Sequence, residues 1–336
     1  MSDLSLSQPL SLRRLRQDAH IRQLTQRIHL SVKQMIQPLF AVAGIKEKEE
    51  VKGLTGTFRD TETTLLQQIE NDLTKGVSKF LLFVVPDHKT KDRFNYDFGI
   101  KQIEGIKKRF GNDVWLATDI CLCSSTEHGH CGILNEAQDF VLNGPSTEAL
   151  AQQALAFAQA GADCVAPSDM MDGRIKAIRT ILDAHDLQRT LLMSYSAKFH
   201  SKFYGPFRAA ADSSPSKGQA KIKDRATYQI DPGNYADALR SSQRDAAEGA
   251  DILMVKPGLP YLDVLARLSD QIDLPWAVYQ VSGEYAAIEC AAQNDLIARV
   301  PAHVELWTSY KRAGADMIIT YGARFAEEWL KETGHR

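Results

Sequence analysis

Glu248-Gly249-Ala250-Asp251-Ile252-Leu253-Met254-Val255-Lys256-Pro257-Gly258 is the stretch whose reading decides the fold. A glycine closes a helical pattern, four apolar residues follow as a buried strand, and the run stops on one lysine before Pro-Gly turns the chain. Such a length and punctuation suit a strand of a parallel sheet, where both faces are covered. A lysine where a parallel strand meets its loop faces the pocket in barrel enzymes. Desolvation disfavours its ammonium form and leaves a neutral amine able to form an imine with a ketone or aldehyde. The alternative is a lysine whose stem lies along the strand while its head reaches solvent.

The phrase that precedes this strand occurs three times, as Ala160-Gly161-Ala162-Asp163, Glu248-Gly249-Ala250-Asp251 and Ala313-Gly314-Ala315-Asp316, which points to one repeated helix-to-strand joint. Working outward, strand-like runs occur at 37–42, 79–85, 114–119, 163–168, 190–195, 252–256, 276–280 and 317–321, separated by amphipathic stretches such as 147–160 and 234–248. Eight strand–helix units with nearly continuous apolar strands predict a single closed (β/α)8 TIM barrel of the α/β class over residues 31–336. An open doubly wound sheet is the second choice, but no Gly-x-Gly-x-x-Gly follows the first run. Residues 1–30, with Leu12-Arg13-Arg14-Leu15-Arg16 and no strand pattern, read as an N-terminal arm for oligomerisation, or as a frayed basic tail.

Composition narrows the partners. The chain has 336 residues, 44% hydrophobic and 24% charged, with a net charge of -2, so nothing pulls it toward nucleic acid or an anionic membrane and a small molecule is the expected partner. The absence of an apolar run of membrane-spanning length or of a signal peptide leads us to expect a cytoplasmic protein. Five cysteines, an odd number, argue against a disulfide framework.

The strand ends carry the chemistry. They deliver Asp119, then Ser168 and Asp169, Tyr195 with Ser196 and Lys198, then Lys256, Tyr279 with Ser282, and Tyr321. Following Asp119, the segment Cys121-Leu122-Cys123 with Cys131 spaces three thiols as Cys-x-Cys, seven residues, Cys. Alternation along an extended chain would put Asp119, Cys121 and Cys123 on one face while a glycine-containing loop returns Cys131. Three soft thiolates select zinc and leave its fourth position open for catalysis; a closed structural site with His128 or His130, or unbound buried thiols, are the alternatives. Cys164 and Cys290 have no partner spacing and read as core residues. Lys198 is a second strand-end lysine, and two converging ammonium groups would keep one amine neutral. Residues 209–225 read as a mobile loop, with Arg208 and Arg225 at its ends as a clamp for a carboxylate.

The cysteine loop, Ser168-Asp169-Met170-Met171-Asp172-Gly173-Arg174, Tyr195-Ser196-Ala197-Lys198-Phe199, Met254-Val255-Lys256-Pro257 and Tyr279-Gln280-Val281-Ser282-Gly283-Glu284-Tyr285 together resemble the porphobilinogen synthase (5-aminolaevulinate dehydratase) family, over nearly all of the chain after residue 30. The resemblance implies a (β/α)8 barrel with an arm, usually a homo-octamer, that condenses two 5-aminolaevulinate molecules to porphobilinogen with loss of two waters, in tetrapyrrole synthesis. It gives Lys256 the imine with the first substrate and Lys198 a role with the second. It places Ser282 and Tyr321 on the first carboxylate, Arg208, Arg225 and Gln229 on the second, and Asp119 with Ser168 on an amino group. Tyr195, Tyr204, Phe207 and Tyr279 would line the substrate. The retained Cys121, Cys123 and Cys131 place the chain in the zinc-dependent branch. Many bacterial relatives also bind an activating magnesium through a glutamate whose position here is Ser241, so no allosteric Mg2+ is expected, and the adjacent Arg240 would supply a fixed cation instead. The chain departs from the family at Thr55-Gly56 and at 88–98, where the usual loop pattern is missing.

Overall fold

The computed structural model describes residues 12–215 and 220–335; residues 1–11 of the expected arm, 216–219 of the expected loop, and 336 lie outside the described set. Eight parallel strands run β1 Met35–Val42, β2 Lys79–Val85, β3 Trp115–Ile120, β4 Cys164–Pro167, β5 Leu191–Lys198, β6 Ile252–Lys256, β7 Trp276–Tyr279 and β8 Met317–Ile319. Each pairs with the next, and β8 returns to β1 through Met35 opposite Ile318 and Ile36 opposite Ile319, which closes the barrel. The expected architecture is thus observed. A hairpin of Glu49–Glu50 and Phe58–Asp60, not expected from the sequence, pairs with the far end of β1 through Phe40 opposite Arg59 and Ala41 opposite Asp60.

The repeated Gly-Ala-Asp phrase has a mechanical role. Gly161, Gly249 and Gly314 all take a φ of +102 to +105°, a left-handed conformation that ends the preceding helix and that a side chain would strain. Each aspartate then joins the preceding strand twice. The carboxylates of Asp163, Asp251 and Asp316 accept the N–H of Leu116, Leu192 and Trp276 at 2.7, 2.8 and 2.8 Å. Their own N–H groups donate to the carbonyls of those same residues at 2.9, 2.9 and 2.8 Å. The joint therefore sets where β4, β6 and β8 begin relative to their neighbours, and hence where they end.

Side-chain alternation sorts the strands into two cores. Ile252 and Met254 point into the barrel with Met193, Tyr195, Ala277, Tyr279, Ile319 and Tyr321. Leu253 and Val255 point out toward helices such as Tyr235–Ala247 and Leu262–Gln271. The two predicted helices run Asn143–Gln159 and Tyr235–Ala247, the first beginning four residues earlier than its apolar pattern. The described part of the arm forms a 3-10 turn, Arg13–Arg16, and a short helix, Ala19–Thr25. Leu12, Leu15 and Leu24 are exposed there, and Gln23 reaches the body of the chain through a 3.3 Å bond to the Gly334 carbonyl.

Candidate active site

Lys256 is the third inward residue of β6 after Ile252 and Met254, so the period of two that packs the barrel also aims the lysine into its mouth. Four rings surround its Nζ, Tyr279 at 4.0 Å, Tyr195 at 4.9 Å, Phe207 at 5.1 Å and Tyr204 at 5.6 Å. No hydrogen-bond acceptor holds it among the described residues. Burial, and after it the charge of Lys198, keeps its pKa well below the ordinary lysine value, which favours the free amine.

Lys198 arrives by a different route. On β5, Met193 and Tyr195 point inward, and strict alternation would send Lys198 outward. A β-bulge intervenes: Ser194 pairs with Leu253, but the next pair is Ala197 with Val255, so three steps on β5 oppose two on β6. The bulge turns Ala197 out and Lys198 in, directly opposite Lys256 across the ladder. Its Nζ donates to the Ser168 carbonyl and lies 5.6 Å from the Tyr195 ring.

Asp119, inward on β3, is pushed up to about 7 by burial and then by the Cys123 thiolate, against the pull of Lys198, Lys256 and a bond to Ser168. Its Oδ1 has no hydrogen-bond partner. Beyond it the chain leaves the strand, and the thiols of Cys121, Cys123 and Cys131 lie within 4.8 Å of one another, all buried. Cys123 is held well below the ordinary thiol value by the bonds it receives from Cys121 and Cys131, and Cys121 is pushed up in turn. The cluster is thus poised to carry negative charge. Neither histidine joins it among the described residues. His130 bonds Tyr228 Oη through Nδ1 and the Ile222 carbonyl through Nε2, both at 3.0 Å, and His128 Nδ1 accepts the His130 N–H at 3.1 Å. Burial holds both imidazoles neutral, His128 at about 4. A three-thiol site that leaves a ligand position open fits zinc of the catalytic kind.

On the loop side, Arg225 is buried and donates to the carbonyls of Gly129 at 3.0 Å and Ser213 at 2.7 Å, tying Ser213 to the cysteine loop. Burial opposes its charge, but the neighbouring sulfurs of Cys131 and Cys123 outweigh it and raise its pKa. Gln229 Oε1 and Nε2, Arg208 Nε, Arg225 Nε and Tyr195 Oη are buried polar atoms without partners among the described residues. Such groups cost free energy unless a ligand completes them. Across the mouth, Tyr321 and Tyr279 pair their hydroxyls at 3.3 Å, and Ser282 Oγ accepts the Phe207 N–H at 3.0 Å.

Some expectations change. The Tyr204 hydroxyl donates to the Phe199 carbonyl at 2.7 Å and lies 3.4 Å from the Lys256 carbonyl, so Tyr204 braces the backbone and offers the site only its ring. Cys290 is exposed rather than buried, on a helix Ser282–Gln293 that faces solvent there, whereas Cys164 is core as expected. The guanidinium beside Ser241 belongs to Arg244, whose Nη2 lies 3.4 Å from Ser241 Oγ, while Arg240 is exposed. Sequence reasoning also passed over Tyr228, whose hydroxyl bridges His130 and the Cys131 N–H, and Glu284, buried behind Lys256. Only adjacency to Gln229 marked the first, and only the N3 position of a helix marked the second.

The chain is similar to known proteins over nearly all of its length. The family model described as delta-aminolevulinic acid dehydratase matches residues 10–329. Delta-aminolevulinic acid dehydratases from Synechocystis sp. and Bacillus subtilis are 43% and 41% identical, each alignment covering 95% of this chain and 98% of the relative. The crystal structure of the Toxoplasma gondii delta-aminolevulinic acid dehydratase (porphobilinogen synthase) in complex with its reaction product porphobilinogen superposes with a TM-score of 0.91 at 38% identity, covering 97% of this chain and 93% of that one. With full-length similarity at this level and the barrel in common, the chain belongs to the delta-aminolevulinic acid dehydratase family of lyases.

Proposed function

We propose that the chain condenses two molecules of 5-aminolaevulinate to porphobilinogen with loss of two waters, using two lysine imines. The observation that carries this reading is the register of Lys198 directly opposite Lys256 on neighbouring strands. The neutral amine of Lys256 adds to the ketone carbon of one substrate and water leaves, which makes the carbonyl carbon an electron sink and acidifies its neighbour. Tyr321 and Ser282 lie where that substrate's carboxylate can be held. Lys198 takes the second ketone, with its carboxylate on Arg208, Arg225 and Gln229, a reading supported by the buried, unpartnered polar atoms that these three side chains carry. Asp119, near half-protonation at neutral pH, can receive a proton from a substrate amino group and return it. Cys121, Cys123 and Cys131 would hold zinc, which when bound supplies Lewis-acid polarisation of a carbonyl or a hydroxide near neutral pH.

Around this centre the reading extends to assembly and setting. The exposed Leu12, Leu15 and Leu24 of the arm suit burial on a neighbouring subunit, in a homo-octamer. No helix of the described residues is long and apolar enough to cross a membrane, which is compatible with a cytoplasmic enzyme. The deciding experiment incubates the zinc-loaded protein with 5-aminolaevulinate and follows porphobilinogen colorimetrically, then repeats it with borohydride and maps the adduct. Product formation and a label on Lys256 are expected; no product, or a label wholly elsewhere, sinks the assignment.

A further inference from the structure

The carboxylate of Glu284 is buried, 2% exposed, and lies behind the loop that follows Lys256. Its Oε2 accepts the Val281 N–H at 2.7 Å, the half of a capping box that a glutamate at the third helical position supplies. An ordinary cap stops there. Here the same carboxylate reaches another strand's loop: Oε2 accepts the Gly258 N–H at 3.3 Å, Oε1 accepts the Leu259 N–H, and Tyr310 donates its hydroxyl to Oε1 at 3.0 Å. Burial pushes the Glu284 pKa up to about 7, and the four donors, which match the lone pairs of an ionised carboxylate, oppose that push.

The surroundings give this junction little slack. A Cβ on Gly258 would meet the Tyr310 ring at 2.6 Å, so the turn after Lys256 is pressed against the residue that also binds Glu284. A Cβ on Gly283 would meet the Phe203 carbonyl at 2.5 Å, and the Gly283 N–H donates to that oxygen at 2.7 Å. Ser282, one residue earlier, receives the Phe207 N–H. The turn 281–284 therefore joins three things: the loop after Lys256, the segment carrying Tyr204, Phe207 and Arg208, and the start of the helix that presents Ser282. We infer that Glu284 is a positioning residue that holds Lys256 in register with Ser282, so that the amine and the carboxylate site meet one substrate at a fixed separation. It touches no substrate and acts through the loop.

This inference rests on the imine reading for Lys256 proposed above, and its test keeps the two apart. In Glu284→Gln the shape is kept, but an amide must point donors at a cluster of donors, so the loop shifts while the barrel persists. Misplacement of a reacting group by about an ångström costs up to ~100-fold. With 5-aminolaevulinate and borohydride, the rate of adduct formation at Lys256 per folded molecule is expected to fall by about 10-fold or more, with far-ultraviolet circular dichroism unchanged. An unchanged labelling rate in the folded variant overturns the inference, even if its melting temperature drops, since a merely structural cap affects stability alone. Should Glu284→Gln fail to fold, Tyr310→Phe decides: it removes one donor without touching the backbone, and about 3-fold slower labelling supports the role, whereas the unmodified rate overturns it. If the unmodified chain carries its adduct on another residue, the imine reading falls first and this inference with it.

Discussion

The two halves of the barrel mouth are built on opposite plans. Around Lys256 the walls are aromatic, and the hydroxyls of Tyr279, Tyr321 and Tyr204 are paired with one another or with backbone, while that of Tyr195 is left without a partner. Around Lys198 the walls are charged and polar, and several atoms have no partner: Asp119 Oδ1, both ends of the Gln229 amide, Arg208 Nε and Arg225 Nε. Apart from the Tyr195 hydroxyl the first half is closed like a protein interior, whereas the second presents the polar atoms that a metal and a polar ligand would complete. Two lysines opposite each other in one ladder thus present their amines to unlike surroundings. Lys256 is prepared by desolvation, and Lys198 sits where electrostatics can be supplied and withdrawn.

The largest effect expected from this contrast is at Lys256. Replacing it with methionine removes the nucleophile, and turnover should fall by at least about 10³-fold, the order lost when a covalent nucleophile is deleted. The same change should stabilise the fold. Because the folded-state pKa of Lys256 is depressed, the unfolded chain binds one more proton than the native one between the two pKa values, so native stability rises with pH through that window and this group changes it no further below or above. Lys256→Met removes that cost, and its melting temperature at pH 7 should exceed that of the unmodified chain by about 2 °C or more. A variant that melts lower at pH 7 would contradict the desolvated-amine account.

Next in size is removal of the metal. A chelator should cut turnover by about 10²-fold, a typical cost of losing one preorganised electrostatic stabiliser. If the division between the halves is real, the loss falls on the polar half alone, and borohydride should still trap the first substrate on Lys256 in the chelated protein. Circular dichroism should hold, since three thiols at a loop do not carry the barrel core. Loss of both turnover and Lys256 labelling would mean that the halves are not separable.

How much of this was legible in the sequence follows from which forces are local. The three Gly-Ala-Asp joints and the apolar period of two are local, and they suffice to place Lys256 inward at the end of β6. The same rule fails for Lys198, which alternation from Tyr195 sends outward; the bulge between Ser194 and Ala197 is a property of the pairing with β6 and leaves no mark in the β5 sequence that we could read. The cysteine spacing announced a metal site, but its histidines were ambiguous until Tyr228 and the Ile222 carbonyl, both about 90 residues away along the chain, were seen to occupy His130. Glu284 was quoted within a motif and given no role, because its partners Leu259 and Tyr310 lie on other elements.

The smallest expected effect is none, and it guards the metal argument against a second cation acting elsewhere. At the position where the family resemblance implies a magnesium-binding glutamate, Ser241 offers a neutral hydroxyl that lies 3.4 Å from Nη2 of Arg244. That guanidinium also binds Asp172 and reaches Asp245 Oδ1 at 3.0 Å and Glu248 Oε1 at 3.9 Å, so the nearby carboxylates already face a fixed positive charge. Asp245 is further committed in the interior, with Arg174 at 3.0 Å and the Ser194 hydroxyl donating at 2.6 Å. Magnesium needs hard oxygen ligands with negative charge and keeps its remaining ligands as water. Asp231 and Asp237 are exposed on this surface alongside Asp172, which Arg244 already binds, and isolated exposed carboxylates bind the ion weakly. Titrating magnesium into the zinc-loaded protein should therefore leave turnover unchanged, and the double variant Ser241→Glu, Arg244→Ala should be the form that responds. Several-fold activation of the unmodified chain, saturating at millimolar magnesium or below, would place a working site at Asp231 or Asp237 and make the contrast between the two halves of the mouth only part of how metals govern this enzyme.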